Sequence, residues 1–406
     1  MKVITTASQE WQRLSARQLV RRRRIEDRVR RILDDVHQSG DEALLRYTRR
    51  FDKVKLTPKQ LRVTEAEISG AFQHLDPKFA LQLKSAIQNV QAFYGRPRLK
   101  PVRSVDGDGV ILSEKFDPIE RVGIYIPGGT ASLVSTVYMT VIPAKRAGVK
   151  RIILATPPRK DGSADPHILA VASLLDVDEV YKMGGAQAIA AMAFGTKTVP
   201  KVDKIVGPGS AFVAEAKRQV FGFVDVDTIA GPSEIAVIAN RHSNAQYVLA
   251  DLLGETEHAG GVGFLITTSR ALAKSARKQV PGGTCILVKN LNEAADVANR
   301  LAPEHLEIMV RSPHTLAKRI TRAGAIFLGP YSPVTVGDYV AGPSHVLPTG
   351  GSARAFSGLG VDDFIRRTHL ISYTKKALER MREPLERLTA IEGLPRHYDA
   401  IKVRLT

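Results

Sequence analysis

The sequence predicts a mixed α/β fold: two consecutive α/β blocks, each a parallel sheet covered by helices, with helical extensions at both ends. Two observations carry that expectation. From residue 120 short β-rich runs alternate with helical stretches, and from residue 234 the same rhythm runs a second time. Strand–helix alternation of this kind means βαβ units. The length agrees, because 406 residues exceed what a single small core serves and call for two or more domains.

Residues 1–50 read as helical. "ARQLVRRRRIEDRVRRILDDVHQSG" places Leu19, Val20, Ile25, Val29, Ile32, Leu33 and Val36 near a 3.6 period and closes on Gly40, and "DEALLRYTRRFD" forms a second helix. Residues 57–96 are mostly helical, and "GRPRLKP" (95–101) breaks the run. The first block then offers strands at 121–127, 151–158, 179–183, 203–209 and 224–232. The second offers 234–239, 263–268, 284–289, 306–310 and 325–329, with helices such as "NAQYVLADLLGETEH" between them. A long Gly/Pro/Ser-rich stretch after residue 330 is too long for an idle connection and is expected to carry function. A helical tail, 374–406, completes the chain.

Composition removes several function classes. The apolar runs stop after a few residues, so no membrane span is expected, and the basic start lacks the apolar core of a signal peptide. A single cysteine, Cys285, rules out an intramolecular disulfide and a CxxC zinc site, which fits a reduced cytoplasmic setting. The formal net charge of +18 raises the question of nucleic acid. Aromatic residues are only 6% and do not alternate with the basic ones, so no stacking platform is present and nucleic acid is not the expected partner.

Neither GxGxxG after a strand nor GxxxxGK[ST] occurs. Instead "IPGGTAS" (126–132), "MGGAQAIA" (183–190) and "VGPGSAF" (206–212) each put glycines before a helix N-terminus, where free N–H groups and the helix dipole favour an anion. One such loop could be an ordinary βα turn; three in one block point to a cofactor cleft. Among the ten histidines, His37, His74, His167, His242 and His314 read as surface residues. The other informative ones sit beside carboxylates. Glu255 and His258 are three apart, one helical turn, and either share a metal ion or are two solvated side chains. Glu304 directly precedes His305, Asp338 lies seven residues before His345, and Glu392 lies five before His397. These are ligand types suited to zinc or another borderline divalent ion. Glu304–His305, at a strand entrance, also suits proton transfer, with a capping Glu and an exposed His as the plainer alternative.

"ERVGIYIPGG", "GGAQAIAAMAFGT", "KIVGPGSAFVAEAK", "IAGPSE", "ADLLGETEH", "APEHLEI", "GDYVAGPSHVLPTGG" and "EGLPRHYDA" resemble, in order and spacing, the histidinol dehydrogenase family. The resemblance covers nearly the whole chain and is weakest in the first hundred residues. It implies two Rossmann-like, incompletely doubly wound domains. Residues 25–124 plus 234–359 would form a zinc-bearing catalytic domain and 125–233 an NAD-binding domain. Residues 1–24 would be a helical extension, and 360–406 an extension that contributes to the partner's active site. It implies an NAD-dependent zinc enzyme that oxidises L-histidinol through L-histidinal to L-histidine, the last step of histidine biosynthesis, as a homodimer with shared active sites. Carried over by position, the zinc ion in each subunit would be held by Glu255, His258, Asp338 and the partner's copy of His397. Ser233, His305, His345 and Glu392 would join those ligands in binding substrate. Tyr125, Gln187 and Ser210 would bind NAD, and Glu304 and His305 would be catalytic. Two positions depart from the family pattern, which has Gln in place of Glu255 and Asn in place of Ser210. Either change is also compatible with a paralogue that oxidises another small alcohol.

Overall fold

A computed structural model describes residues 1–16, 23–73, 75–95, 102–128, 132–229, 231–257 and 260–406. His74 and His258, both singled out above, lie outside the described residues, as does part of the "IPGGTAS" loop. The strands are β1 (Lys2–Thr5), β2 (Arg103–Val105), β3 (Ile111–Pro118), β4 (Arg121–Tyr125), β5 (Arg151–Thr156), β6 (Glu179–Lys182) and β7 (Lys204–Val206). They continue as β8 (Asp225–Val226), β9 (Glu234–Ala239), β10 (Val262–Thr267), β11 (Thr284–Leu287), β12 (His305–Met309), β13 (Ala325–Leu328) and β14 (Ile365–Ser372). The chain divides into two compact units, Met1–Arg96 with Glu120–Asp363, and Pro97–Ile119 with Phe364–Thr406.

The first unit contains both expected blocks. One sheet runs β6-β5-β4-β7-β8 and the other β1-β11-β10-β9-β12-β13, and every pairing in both is parallel. Numbered within its own block, each sheet has the strand order 3-2-1-4-5, to which the six-stranded sheet adds β1 at its outer edge; the winding direction reverses beside the first strand of the block. The Rossmann-like expectation is therefore met twice. All residues of β9 and β12 are buried, because helices cover both faces of a parallel sheet.

The helical start is corrected at its first residues. Lys2–Thr5 is not helix but an edge strand paired with β11, and the amino group of Met1 donates to the carbonyl of Val280 at 2.6 Å. "KVIT" is β-branched at Val3, Ile4 and Thr5, which favours a pleated surface over a helix. A short helix, Gln9–Ser15, follows, capped by the Ser8 hydroxyl.

The long helix Arg23–Phe51 breaks at Gly40, which takes φ 53° and ψ −126°, as the closing glycine predicted. Val29, Ile32, Leu33 and Val36 pack with Ala188, Ile189 and Met192 of the helix Gly185–Phe194. This part of the chain thus packs against the block that holds the five-stranded sheet. Among the described residues no helix is long and apolar enough to cross a membrane.

The second unit is an antiparallel sheet, β14-β3-β2, in which β14 pairs with β3 from Ile365↔Pro118 to Ser372↔Ile111. The helices Lys375–Arg380, Arg382–Ile391 and Pro395–Leu405 form the expected tail. The sequence pattern did not disclose β2, β3 and β14. β2 is three exposed residues, β14 is exposed after its first residue, and β3 has no fully buried position, so none shows the apolar alternation that marks a half-buried strand.

Candidate active site

His305 opens β12, directly after Glu304, at the amino edge of the six-stranded sheet. His305 pairs in register with Ile235 of β9, which brings the start of β9 alongside. There the Ser233 hydroxyl donates to Glu304 Oε2 at 3.1 Å and the Glu234 N–H donates to the same oxygen at 3.0 Å. Glu304 and His305 are 7% and 4% exposed, so the reading of an exposed pair does not hold. Two further elements return to this edge. The helix Ala245–Thr256, capped at its start by Asn244, carries Glu255 in its last turn, and the short helix Val334–Tyr339 carries Asp338. Glu255 Oε2 lies 3.5 Å from Nδ1 of His305, and Asp338 Oδ1 lies 3.8 Å from its Nε2. His345 faces the Asp338 carbonyl through Nδ1 at 2.9 Å and Thr136 Oγ1 through Nε2 at 3.2 Å. A carbonyl only accepts, so Nδ1 carries the proton, and in the neutral ring Nε2 accepts from the Thr136 hydroxyl.

Negative charge dominates this pocket. Burial pulls the His305 pKa down, but the hydrogen-bonded Glu255 and the charges of Glu304 and Asp338 outweigh it and set the pKa near 9. Burial pushes Glu304 up to about 8, against the pull of His305 and the Glu234 N–H. Beneath the pair, on the same face of β12, Glu307 is 1% exposed. It accepts from the Val334 N–H at 2.9 Å and is hydrogen-bonded to Asp251. Burial, together with Asp251, raises the Glu307 carboxyl to about 8, and burial likewise raises Asp251.

The second cluster stands at the carboxyl edge of the five-stranded sheet, beside the switch point between β4 and β7. Tyr125 ends β4 and is buried. Its hydroxyl accepts from the Gly185 N–H at 3.0 Å, and burial pushes its pKa up to about 12. Gln187, in the first turn of the helix Gly185–Phe194, is 1% exposed, and its amide has no hydrogen-bond partner among the described residues. Ser210 precedes the helix Ala211–Val220, exposed and with no side-chain capping bond. Gly207 runs so close to β4 that a Cβ would sit 2.2 Å from the Tyr125 carbonyl oxygen. Asp52 lies against Gly184, and one of its carboxylate oxygens is buried without a partner among the described residues. An uncommitted buried amide beside two helix N-termini fits a polar, phosphate-bearing dinucleotide.

The structure thus brings together Ser233, Glu255, Glu304, His305, Asp338 and His345. It gathers Tyr125, Gln187 and Ser210 in the block that carries the glycine loops. His258 falls outside the described residues. Glu392 and His397 lie in the second unit, both exposed. Among the described residues no group of three or more His, Cys, Asp or Glu is arranged as a metal site. Even so, Glu255 and Asp338 flank the His305 ring in a buried setting, a concentration of carboxylate that suits a divalent cation. Sequence reasoning missed Thr136, Asp52, Asp251 and Glu307. Glu307 had a legible signal: a lone carboxylate inside the apolar strand run "HLEIMV".

The family model described as Histidinol dehydrogenase matches residues 15–405. A histidinol dehydrogenase of Bacillus cereus is 46% identical over 395 residues, 93% of this chain and 91% of that protein. One of Listeria monocytogenes is 44% identical over 399 residues, 94% of this chain and 93% of that protein. The crystal structure of histidinol dehydrogenase from Elizabethkingia anophelis superposes with a TM-score of 0.92 at 35% identity, covering 100% of this chain and 98% of that one. A match of this extent in sequence and in fold places the chain in the histidinol dehydrogenase family of oxidoreductases.

Proposed function

We propose that the chain catalyses the zinc- and NAD-dependent four-electron oxidation of L-histidinol, through L-histidinal, to L-histidine. The observation that carries this reading is the buried Glu304–His305 pair, with Glu255 and Asp338 on either side of the imidazole. Glu255, His258, Asp338 and the partner's copy of His397 would hold one zinc ion, whose chemistry would be to position the substrate rather than to attack it. Tyr125, Gln187 and Ser210 would hold NAD, which takes up a hydride in each of two oxidations. The labour divides accordingly: residues 125–233 serve NAD, residues 25–124 plus 234–359 serve metal and chemistry, and residues 360–406 complete the partner's site in a cytoplasmic homodimer.

His305 takes the proton from the substrate hydroxyl as the first hydride leaves. Its affinity for that proton comes from Glu255, Glu304 and Asp338; zinc held by Glu255 and Asp338 would offset part of that charge and leave the imidazole nearer neutrality. Glu304, oriented by Ser233 and the Glu234 N–H, takes a proton from the water that hydrates the aldehyde. Ser233 and His345 flank the substrate, with Glu392 supplied by the tail. Retaining the aldehyde in the site prevents loss of a reactive intermediate.

The test is NADH formation with L-histidinol, before and after chelation. Two NADH per histidinol, lost on chelation and restored by zinc, is the expected outcome, and a yield of one NADH removes the four-electron reading. Glu255 and Ser210 support a second reading, a zinc/NAD dehydrogenase of the same family acting on another small alcohol. Turnover of other amino alcohols without turnover of histidinol selects it.

A further inference from the structure

Glu307 takes no part in the chemistry described above, yet it touches both elements that bring carboxylates to His305. Its Oε1 accepts from the N–H of Val334, the first residue of the helix that carries Asp338 one turn later. Its carboxyl is also hydrogen-bonded to Asp251, which lies one turn before Glu255 on the helix Ala245–Thr256. Residues four apart on a helix share a face, so a side chain that holds Asp251 also sets the rotation of Glu255. Glu307 is itself held on the same face of β12 as His305, two residues on, and is 1% exposed. A strand, a helix end and a helix start therefore meet at one buried carboxyl.

We infer that Glu307 is a positioning residue for the metal site: through Asp251 and the Val334 N–H it fixes the two helices whose Glu255 and Asp338 would share the zinc ion. The inference rests on the zinc reading above. Two acidic side chains that hydrogen-bond in a buried place share a proton, so glutamine at position 307 keeps an acceptor for Val334 and a donor for Asp251. Methionine keeps the volume and removes both bonds. Supporting groups behind metal ligands are worth on the order of 10–100-fold in metal affinity.

The experiment is competition of the purified full-length protein against a chromophoric chelator for Zn²⁺ alone, in wild type, Glu307→Met, Glu307→Gln and Asp251→Leu. Expected is a loss on the order of tenfold or more for Glu307→Met, recovery to within about threefold of wild type for Glu307→Gln, and an intermediate loss for Asp251→Leu. Rescue by Gln separates positioning from a general need for a filled core. Should Glu307→Met not fold, Asp251→Leu, which leaves Glu307 in place, carries the test. Wild-type affinity in the folded methionine or leucine variant overturns the inference while leaving the metal reading intact. A wild-type protein that holds no zinc overturns both.

Discussion

Glu255 stands where the family resemblance leads to an expectation of glutamine, and its surroundings give that difference a consequence. It sits buried, 3.5 Å from His305, so its charge bears on both the proposed metal and the proposed base. Replacing it with the family's glutamine removes one negative ligand. The expected result is zinc retention weaker by on the order of tenfold, with a more Lewis-acidic ion, and a His305 pKa below its present value near 9. Zinc content after graded chelation measures the first, and unchanged retention refutes it. For Glu304→Gln the expected loss falls mainly on oxidation of added histidinal, where water must be activated, and less on oxidation of histidinol; equal losses refute that division. Asp52 gives a prediction about pH. Burial raises its folded pKa to about 6, above the unfolded value near 3.9. The folded state therefore holds the proton more tightly, and stability falls as pH rises from about 4 to about 6. After allowance for partial exposure this amounts to about 1–2 kcal/mol. Chemical denaturation of Asp52→Asn at pH 4 and pH 7 should show that loss abolished. Residue types and spacing made Glu304–His305 and Glu255 legible in the sequence. Their convergence with Asp338 was not, because contacts between residues over thirty or eighty positions apart depend on tertiary packing that no local pattern records.

At the scale of elements, the parallel strands were readable because burial on both faces leaves continuous apolar runs. The readable strands also set the geometry of the cofactor edge. Gly207 follows β7 with φ 113°, a conformation that other residues adopt only under strain. The absent side chain also lets its backbone pass against Tyr125. Gly207→Ala adds left-handed strain to a collision with the Tyr125 carbonyl and should destabilise the fold by about 3 kcal/mol, read as a lowered denaturation midpoint. A midpoint within error of wild type would mean that the β4–β7 approach is not tight. The elements that escaped the sequence reading failed for opposite reasons. β1 is only four residues long and stands beside a helical run that dominates any averaging window. In β14 all residues after Ile365 are exposed, so burial imposes no period on its sequence.

Across the whole molecule the two sheets share one strand order but use opposite edges. The five-stranded sheet presents the carboxyl ends of β4 and β7, the usual place for a ligand in such folds. The six-stranded sheet presents the amino ends of β9 and β12. The two edges are joined where His345 meets Thr136 and where the Tyr138 hydroxyl donates to the carbonyl of Tyr339 at 2.9 Å. Hydride donor and acceptor can thus be served by different sheets of one unit, while Glu392 and His397 belong to the other unit. There the tail helices leave Leu388, Ile391 and Val403 more than half exposed, apolar surface that suits burial against a second copy of the chain. If the tail serves the partner's site, two inactive variants must complement each other. In a mixed dimer of Asp338→Ala and His397→Ala subunits, one site combines both defects. The other combines an intact Asp338 with the intact tail of its neighbour. Random reassociation makes about half the dimers mixed, each with one working site, so about a quarter of wild-type activity should return. If each tail serves its own chain, every site carries one defect and no activity returns. Mixing the two denatured variants, refolding them together and assaying NADH formation distinguishes the two outcomes.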